Sequence, residues 1–110
     1  MIAGFIISGD APKKIVARGI GPSLTADGLP DRLTDPTLDL RDINGERLAF
    51  NDDWADDLTQ AAAVTAAGLA PKDLKESAMS VELSAGGYTV IVSGSPDSNG
   101  IALVEIYTLR

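Results

Sequence analysis

Short apolar runs rich in Ile and Val, cut by Gly and Pro, open and close this chain. The front carries Ile2-Ala3-Gly4-Phe5-Ile6-Ile7-Ser8-Gly9, then a stretch from Lys14 to Arg18 that ends in Gly21-Pro22-Ser23-Leu24. The back carries Gly87-Tyr88-Thr89-Val90-Ile91-Val92-Ser93-Gly94, then Ile101-Ala102-Leu103-Val104-Glu105-Ile106-Tyr107. Runs of this length, bounded by turn formers, predict strands of an antiparallel sheet. Their longest uncharged stretch is far short of the ~20 residues that span a bilayer as a helix, so membrane insertion is not expected.

Between these ends the pattern continues. Residues 2–8 and 14–20 read as strands joined by Gly9-Asp10-Ala11-Pro12-Lys13, and residues 25–36, with Gly28, Pro30 and Asp35-Pro36, as a long connection. Leu38 and Leu40 alternate with Asp39 and Arg41, and Leu48 and Phe50 with Arg47 and Ala49, around Asp42-Ile43-Asn44-Gly45. Asn-Gly tolerates the positive φ angles of a tight hairpin turn, so this is the clearest hairpin, apolar on one face and wet on the other. Residues 56–67 predict one short helix: Asp56 and Asp57 stand at its start, Ala is abundant, Gly68 can close it and Pro71 forbids its continuation. Leu58, Ala61, Ala62 and Val64 supply a narrow apolar stripe for it. Strands resume at 77–83, 88–94 and 101–109, with turns at Gly86-Gly87 and Pro96-Asp97-Ser98-Asn99-Gly100. The expected fold is all-β: an antiparallel, jelly-roll-like sandwich of about seven strands with one short helical insertion. Leu38, Leu40, Leu48, Phe50, Val90, Val92, Val104 and Ile106 are expected in the core, since each alternates with polar or small neighbours.

Composition narrows function. The 110 residues make one domain, 45% apolar, large enough to bury roughly two thirds of its unfolded surface. Nine basic against sixteen acidic residues give a net charge of −7, with no basic stripe to displace counterions from phosphates. Nucleic acid and anionic membrane surfaces are therefore unsuitable partners, while cations and basic partners suit it. There is no Cys and no His, which removes disulfides, thiolate chemistry and the commonest base–nucleophile pairs. Ser8, Ser23, Ser80 and Ser93 have no recognisable activating partner, and Gly19-x-Gly21-Pro22 lacks a phosphate-loop Lys. The chain does not read as an enzyme.

Asn51-Asp52-Asp53-Trp54-Ala55-Asp56-Asp57 is the one chemically loaded stretch. Asp52, Asp53 and Asp56 offer hard oxygen ligands suited to Ca²⁺, without the spacing of an EF-hand loop. The competing reading has Asp52 and Asp53 bonding backbone amides at a tight corner while Asp56 and Asp57 cap the helix. Trp54, beside these carboxylates, reads either as a platform for a sugar or as a core plug whose N–H finds one acceptor. Lys13, Lys14 and Arg18 form a small basic spot, with Glu105 a conceivable partner across the sheet or solvent the alternative.

The order of these pieces resembles a module of large secreted bacterial proteins, often present in tandem. Its marks are the Gly-Phe-Ile-Ile-Ser-Gly strand (4–9), the strand closing in Gly-Pro-Ser-Leu (14–24), Asp-Pro (35–36) and the Leu-x-Leu hairpin with Asn-Gly (38–45). Asn-Asp-Asp-Trp (51–54), Gly-Tyr-Thr (87–89) and Leu-Val-Glu-Ile-Tyr (103–107) complete them. The second half is also loosely similar to bacterial pre-peptidase C-terminal (PPC) domains, which are jelly-roll-like accessory sandwiches. The resemblance implies an extracellular or cell-surface, non-catalytic structural module that packs against copies of itself or adjacent domains. It implies as the alternative a carbohydrate- or polymer-binding accessory unit of a secreted hydrolase. The resemblance also implies one more strand before residue 2, so the single module at 1–110 is expected either to be clipped there or to take that strand from a neighbour. The terminal strands Ile2–Ser8 and Ile101–Leu109 are long and almost uncharged, and uncapped edges of that kind template pairing with another chain. Self-association, up to a filament, is therefore expected through Ile2, Phe5, Ile7, Leu103, Ile106 and Tyr107.

Overall fold

The computed structural model describes residues 1–27, 33–94 and 100–109; Gly28 and Pro30 of the long connection and residues 96–99 of the last turn lie outside them. Its strands are β1 (Ile2–Ile7), β2 (Lys13–Ile20), β3 (Thr37–Asp42), β4 (Arg47–Asn51), β5 (Ser77–Leu83), β6 (Gly86–Ser93) and β7 (Leu103–Leu109), with one α-helix, α1 (Leu58–Ala66). A 3₁₀ turn (Pro22–Asp27) opens the long connection. The strands form two antiparallel sheets, a four-stranded one in the order β1-β6-β3-β4 and a three-stranded one in the order β5-β2-β7. The expected all-β, seven-stranded sandwich with a single helix is the observed architecture.

Only β3 and β4 are joined as a hairpin within one sheet; the other consecutive strands lie in different sheets. The β1 and β2 segments, adjacent in sequence, are thus separated by the thickness of the sandwich. Between the sheets lie Ile7, Ile15, Ala17, Leu38, Leu40, Met79, Leu83, Val90 and Val92. Strand β2 is buried on both faces. Its Val16 points the other way, into a second cluster with Val64 of α1 and Ala78, against which Trp54 and Leu69 pack. A continuous apolar run, Ile15-Val16-Ala17, is what a strand covered on both sides requires.

The hairpin departs from expectation in phase. Leu48 is 46% and Phe50 50% exposed, so neither is core. Leu40 pairs with Ala49 but Arg41 pairs with Arg47, a bulge that leaves Leu48 unopposed. Ala49 consequently faces the core. Phe50 lies opposite Asp39 on the outer face, with the Arg47 guanidinium 4.7 Å from its ring. That phase also brings Arg41 and Arg47 onto the buried Asp39 carboxylate, at 2.9 and 3.0 Å. The turn itself uses one positive φ, at Gly45 (83°), after an Asp42–Gly45 reverse turn closed by Gly45 N–H donating to the Asp42 carbonyl. Leu38, Leu40, Val90 and Val92 are buried as expected, while Val104 and Ile106 face the core but stay half-buried because β7 is an edge strand.

Helix α1 begins at Asp57, whose carboxylate accepts the Gln60 N–H at 3.1 Å, and closes at Gly68 with Leu69 N–H bonded to the Val64 carbonyl. Of the expected stripe only Val64 is buried; Leu58 and Ala62 face solvent and Ala61 is half-buried. The helix is short and lies against β5, so a single turn of side chains suffices to cover the contact.

Candidate functional site

Two parts of the molecule carry unspent chemistry: an acidic corner at the end of the hairpin, and the flank where β1 and β7 end their sheets.

The corner is assembled by register. Leu38 opposite Asn51 is the last pair of the β3–β4 ladder, and continuing it outward brings the residues just before β3 toward those just after β4. Asp35 therefore meets Asp52 and Asp53, with one carboxylate oxygen from each within 4.8 Å of the others. Asp35 was not legible as a member from the stretch 51–57 alone; extending the hairpin register past Leu38 is the signal that would have found it. Asp56, expected as a ligand, is not in that group; it lines an adjoining depression with Phe50, Asn51, Asp52, Asp53 and Asp57. Asp57 is committed to the helix cap, whereas the turn at the corner is closed by the Asp53 carbonyl, which accepts from Asp56 N–H at 3.1 Å and from Asn51 Nδ2 at 3.2 Å.

The electrostatics of the corner are unfavourable as it stands. Burial, followed by the charges of Asp35 and Asp53, raises the Asp52 carboxyl above the ordinary carboxylate range. Burial, Asp35 and Asp56 do the same to Asp53, partly offset by Lys75. Asp35 Oδ1 and Asp53 Oδ1 are buried and accept no hydrogen bond. Crowded carboxylates with orphaned oxygens fit a hard cation, since Ca²⁺ takes oxygen ligands at about 2.3–2.6 Å in flexible geometry. Asp35, Asp52 and Asp53 would hold it, with Asp56 beside them.

Trp54 is half-buried. Its ring packs on the Val16–Val64–Ala78 cluster and its Nε1 donates to the Asp73 carbonyl at 3.2 Å, the core-plug arrangement. The basic spot resolves into a pair: Arg18 and Glu105 face each other across β2 and β7 and form an ion pair. Arg18 also donates to the Leu69 carbonyl at 3.1 Å and lies 5.6 Å from the Tyr107 ring centre, while Tyr107 Oη donates to Glu105 at 2.9 Å. A cavity of about 210 Å³ beside this pair is lined by Ser23, Lys72 and Leu103 as well.

One buried carboxylate escaped sequence reasoning altogether. Glu76 is inaccessible to solvent and accepts from Gly21 N–H and Ser23 N–H at 2.9 Å, Ser23 Oγ at 2.6 Å and Asp73 N–H at 3.2 Å. This explains the Gly-Pro-Ser turn as a cradle for an anion. A side chain at Gly21 is impossible there, because a Cβ would meet the Leu33 carbonyl oxygen at 2.0 Å.

The flanks of the sandwich differ. On the β4/β5 side, side chains cap two outward N–H groups of β5, Ala78 N–H donating to Asn51 Oδ1 at 3.0 Å and Ser80 N–H to Gln60 Oε1 at 2.6 Å, and just before it the Glu76 carbonyl accepts from Trp54 N–H at 2.9 Å. On the opposite side, β1 pairs only with β6 and β7 only with β2 among the described residues. Of the residues expected to mediate association, Ile2 is 69% exposed on the outer face. Phe5 faces the core, stacked 5.6 Å from Tyr88, and Ile7 is buried there. Leu103 is exposed, Tyr107 is half-buried beside Arg18, and Ile106 is half-buried toward the core. Ile6, which sequence reasoning passed over, is 81% exposed.

Comparison with protein-family models, with curated proteins and with solved structures finds no match for this chain. Among the described residues no helix is long and apolar enough to cross a membrane.

Proposed function

We propose that this chain is a non-catalytic structural module that associates, by strand addition, with copies of itself or with adjacent domains. The observation that carries this reading is the β1 edge, uncovered by any of the described residues, with Ile2 and Ile6 exposed on it, set against a β5 edge capped by side chains. Addition of a strand satisfies the unpaired backbone groups and covers the aliphatic side chains in one step. Where such a contact does not close, it propagates into a filament. An extracellular or cell-surface setting, and tandem neighbours, follow from the resemblance of the Gly-Phe-Ile-Ile-Ser-Gly, Gly-Pro-Ser-Leu and Asn-Asp-Asp-Trp pieces to secreted bacterial modules. Ca²⁺ at Asp35, Asp52 and Asp53 would neutralise the crowded corner and tie the end of β4 to the start of β3.

Light scattering over a concentration series from low to high micromolar tests the reading. The expected result is a weight-average mass that rises with concentration; a constant monomer mass sinks self-association. Melting curves in millimolar Ca²⁺ and in EDTA test the cation separately, because binding to the folded state alone raises the melting temperature with ligand concentration.

A further inference from the structure

We infer that two copies of this chain pair β1 against β1, antiparallel about a two-fold axis through Gly4, merging their four-stranded sheets into one continuous sheet. This rests on the self-association reading above and names its surface, register and symmetry.

The choice of edge comes from charge and from what already covers each edge. A chain of net charge −7 repels its own copies, so contact between copies is least costly where charge is absent. Strand β4 carries Arg47 and a bulge, β5 carries Glu82 and is capped by Asn51 and Gln60, and β7 carries Glu105. Strand β1, Ile-Ala-Gly-Phe-Ile-Ile, has no charged residue, no Pro and no bulge in its pairing with β6. None of the usual devices that blunt an edge is present on it.

The register follows from which backbone groups point outward. Met1 and Val92 exchange both backbone bonds, the Met1 amino group donating to the Val92 carbonyl at 3.0 Å and Val92 N–H to the Met1 carbonyl at 2.8 Å. Pairing alternates along an antiparallel ladder, so residues 3, 5 and 7 also direct their backbone groups to β6, and Ile2, Gly4 and Ile6 direct theirs to the free edge. An antiparallel copy makes full use of these groups in one alignment: Gly4 against the partner's Gly4, Ile2 against the partner's Ile6, and Ile6 against the partner's Ile2. The same alignment sets Ala3 against the partner's Phe5 on the core face, small beside large. On the outer face it lays aliphatic against aliphatic, next to a trough floored by Gly4 and Gly87 and walled by Ile6 and Ile43. The strand is its own complement.

The absence of cysteine makes a direct test available. A Gly4→Cys variant has room for its side chain, since a Cβ there meets nothing closer than the Tyr88 carbonyl oxygen at 3.8 Å. Opposed Cα atoms in a hydrogen-bonded antiparallel pair lie about 5.5 Å apart, within disulfide reach. Mild oxidation of Gly4→Cys is expected to trap a covalent dimer that grows no further, whereas Ile43→Cys, exposed but off the alignment, traps none. Ile6→Lys, at a solvent-exposed position that leaves the fold intact, is expected to raise the dissociation constant roughly tenfold by removing the aliphatic contact with the partner's Ile2 on the outer face. Association that persists in Ile6→Lys without a Gly4→Cys crosslink overturns the β1 pairing and leaves self-association standing through another surface. Masses that climb past the dimer overturn the two-fold closure. A monomer at all concentrations overturns both the pairing and the reading it rests on.

Discussion

The two flanks of this sandwich solve the same problem in opposite ways. At the β4/β5 flank, the segment from Asn51 to Gln60 folds back over the edge and supplies the acceptors that β5 lacks, with Trp54 and α1 filling the space outside the sheet. At the β1/β7 flank nothing among the described residues plays that part for β1, and its exposed side chains are aliphatic. An edge closed by its own chain contributes to stability; an edge left open offers the surface that the proposed association uses. The difference is worth testing because each flank predicts a distinct mutational signature.

The largest effect is expected at Glu76, which anchors the closed flank to the Gly21-Pro22-Ser23 turn. Glu76→Ala strands the N–H groups of Gly21, Ser23 and Asp73 inside the protein, and charged-group hydrogen bonds contribute about 1.5–3 kcal/mol each. A loss of roughly 3 kcal/mol or more is expected by denaturant unfolding; a loss under about 1 kcal/mol would mean that the turn holds without its anion.

Next come the edge caps. Asn51→Ala and Gln60→Ala each leave a β5 N–H without its acceptor, at a cost of about 1–2 kcal/mol. They also uncover a second edge, so the double variant is expected to form larger species that Ile6→Lys does not disperse. If the double variant keeps the parent's mass, β5 is not an edge in need of cover.

The acidic corner and the Asp39 cluster should respond to acid with opposite sign. Asp52 and Asp53 sit above the ordinary value of 3.8 in the folded state, chiefly through burial and then through Asp35. Their destabilising effect is absent below pH about 3.8 and develops as pH rises through the raised values. Asp39 goes the other way: burial pushes it up, but hydrogen bonds and charge from Arg47 and Arg41 outweigh that and hold it below 3.8. Its contribution is present above pH about 3.8 and is lost as pH falls through the depressed value. Asp35→Asn is therefore expected to raise stability in EDTA at pH 7 by up to about 1 kcal/mol, to do nothing at pH 3, and to abolish any Ca²⁺-dependent rise in melting temperature. An Asp35→Asn variant that still gains from Ca²⁺ would remove Asp35 from the corner's ligands.

The smallest effect on stability is expected where the association signal is largest. Ile6→Thr changes an exposed side chain on the open flank and should alter folding stability by no more than about 0.5 kcal/mol. A substantially larger loss would show that Ile6 packs within its own chain, and the contrast between the flanks would fail.

Much of this was legible before any coordinates. Short apolar runs bounded by turn formers, with period-two alternation in the hairpin, located all seven strands within a residue or two, although Gly86 and Gly87, read as a turn, begin β6. Asp57 and Gly68 bounded α1 for an equally local reason, a side-chain acceptor at one end and a helix-closing glycine at the other. Leu38, Leu40, Val90 and Val92 announced themselves as core, whereas Trp54 read as either a platform or a plug until its packing and its N–H bond to the Asp73 carbonyl were known.

The remainder needed partners distant in sequence. Alternation alone placed Leu48 and Phe50 inside, but the bulge opposite Leu40 and Arg41 reversed the phase and gave the core to Ala49. The bulge accompanies Arg41 and Arg47 converging on Asp39, a contact that no window of the sequence displays. Asp35 joined Asp52 and Asp53 only once the hairpin register was known. The roles of Asn51, Gln60 and Glu76 depend on partners 27, 20 and 55 residues away, namely Ala78, Ser80 and Gly21. Local periodicity and turn chemistry determine which segments are strands. The sheet each joins, the edge left open and the carboxylates brought together depend on long-range register, which is settled only when the two sheets close over a shared core.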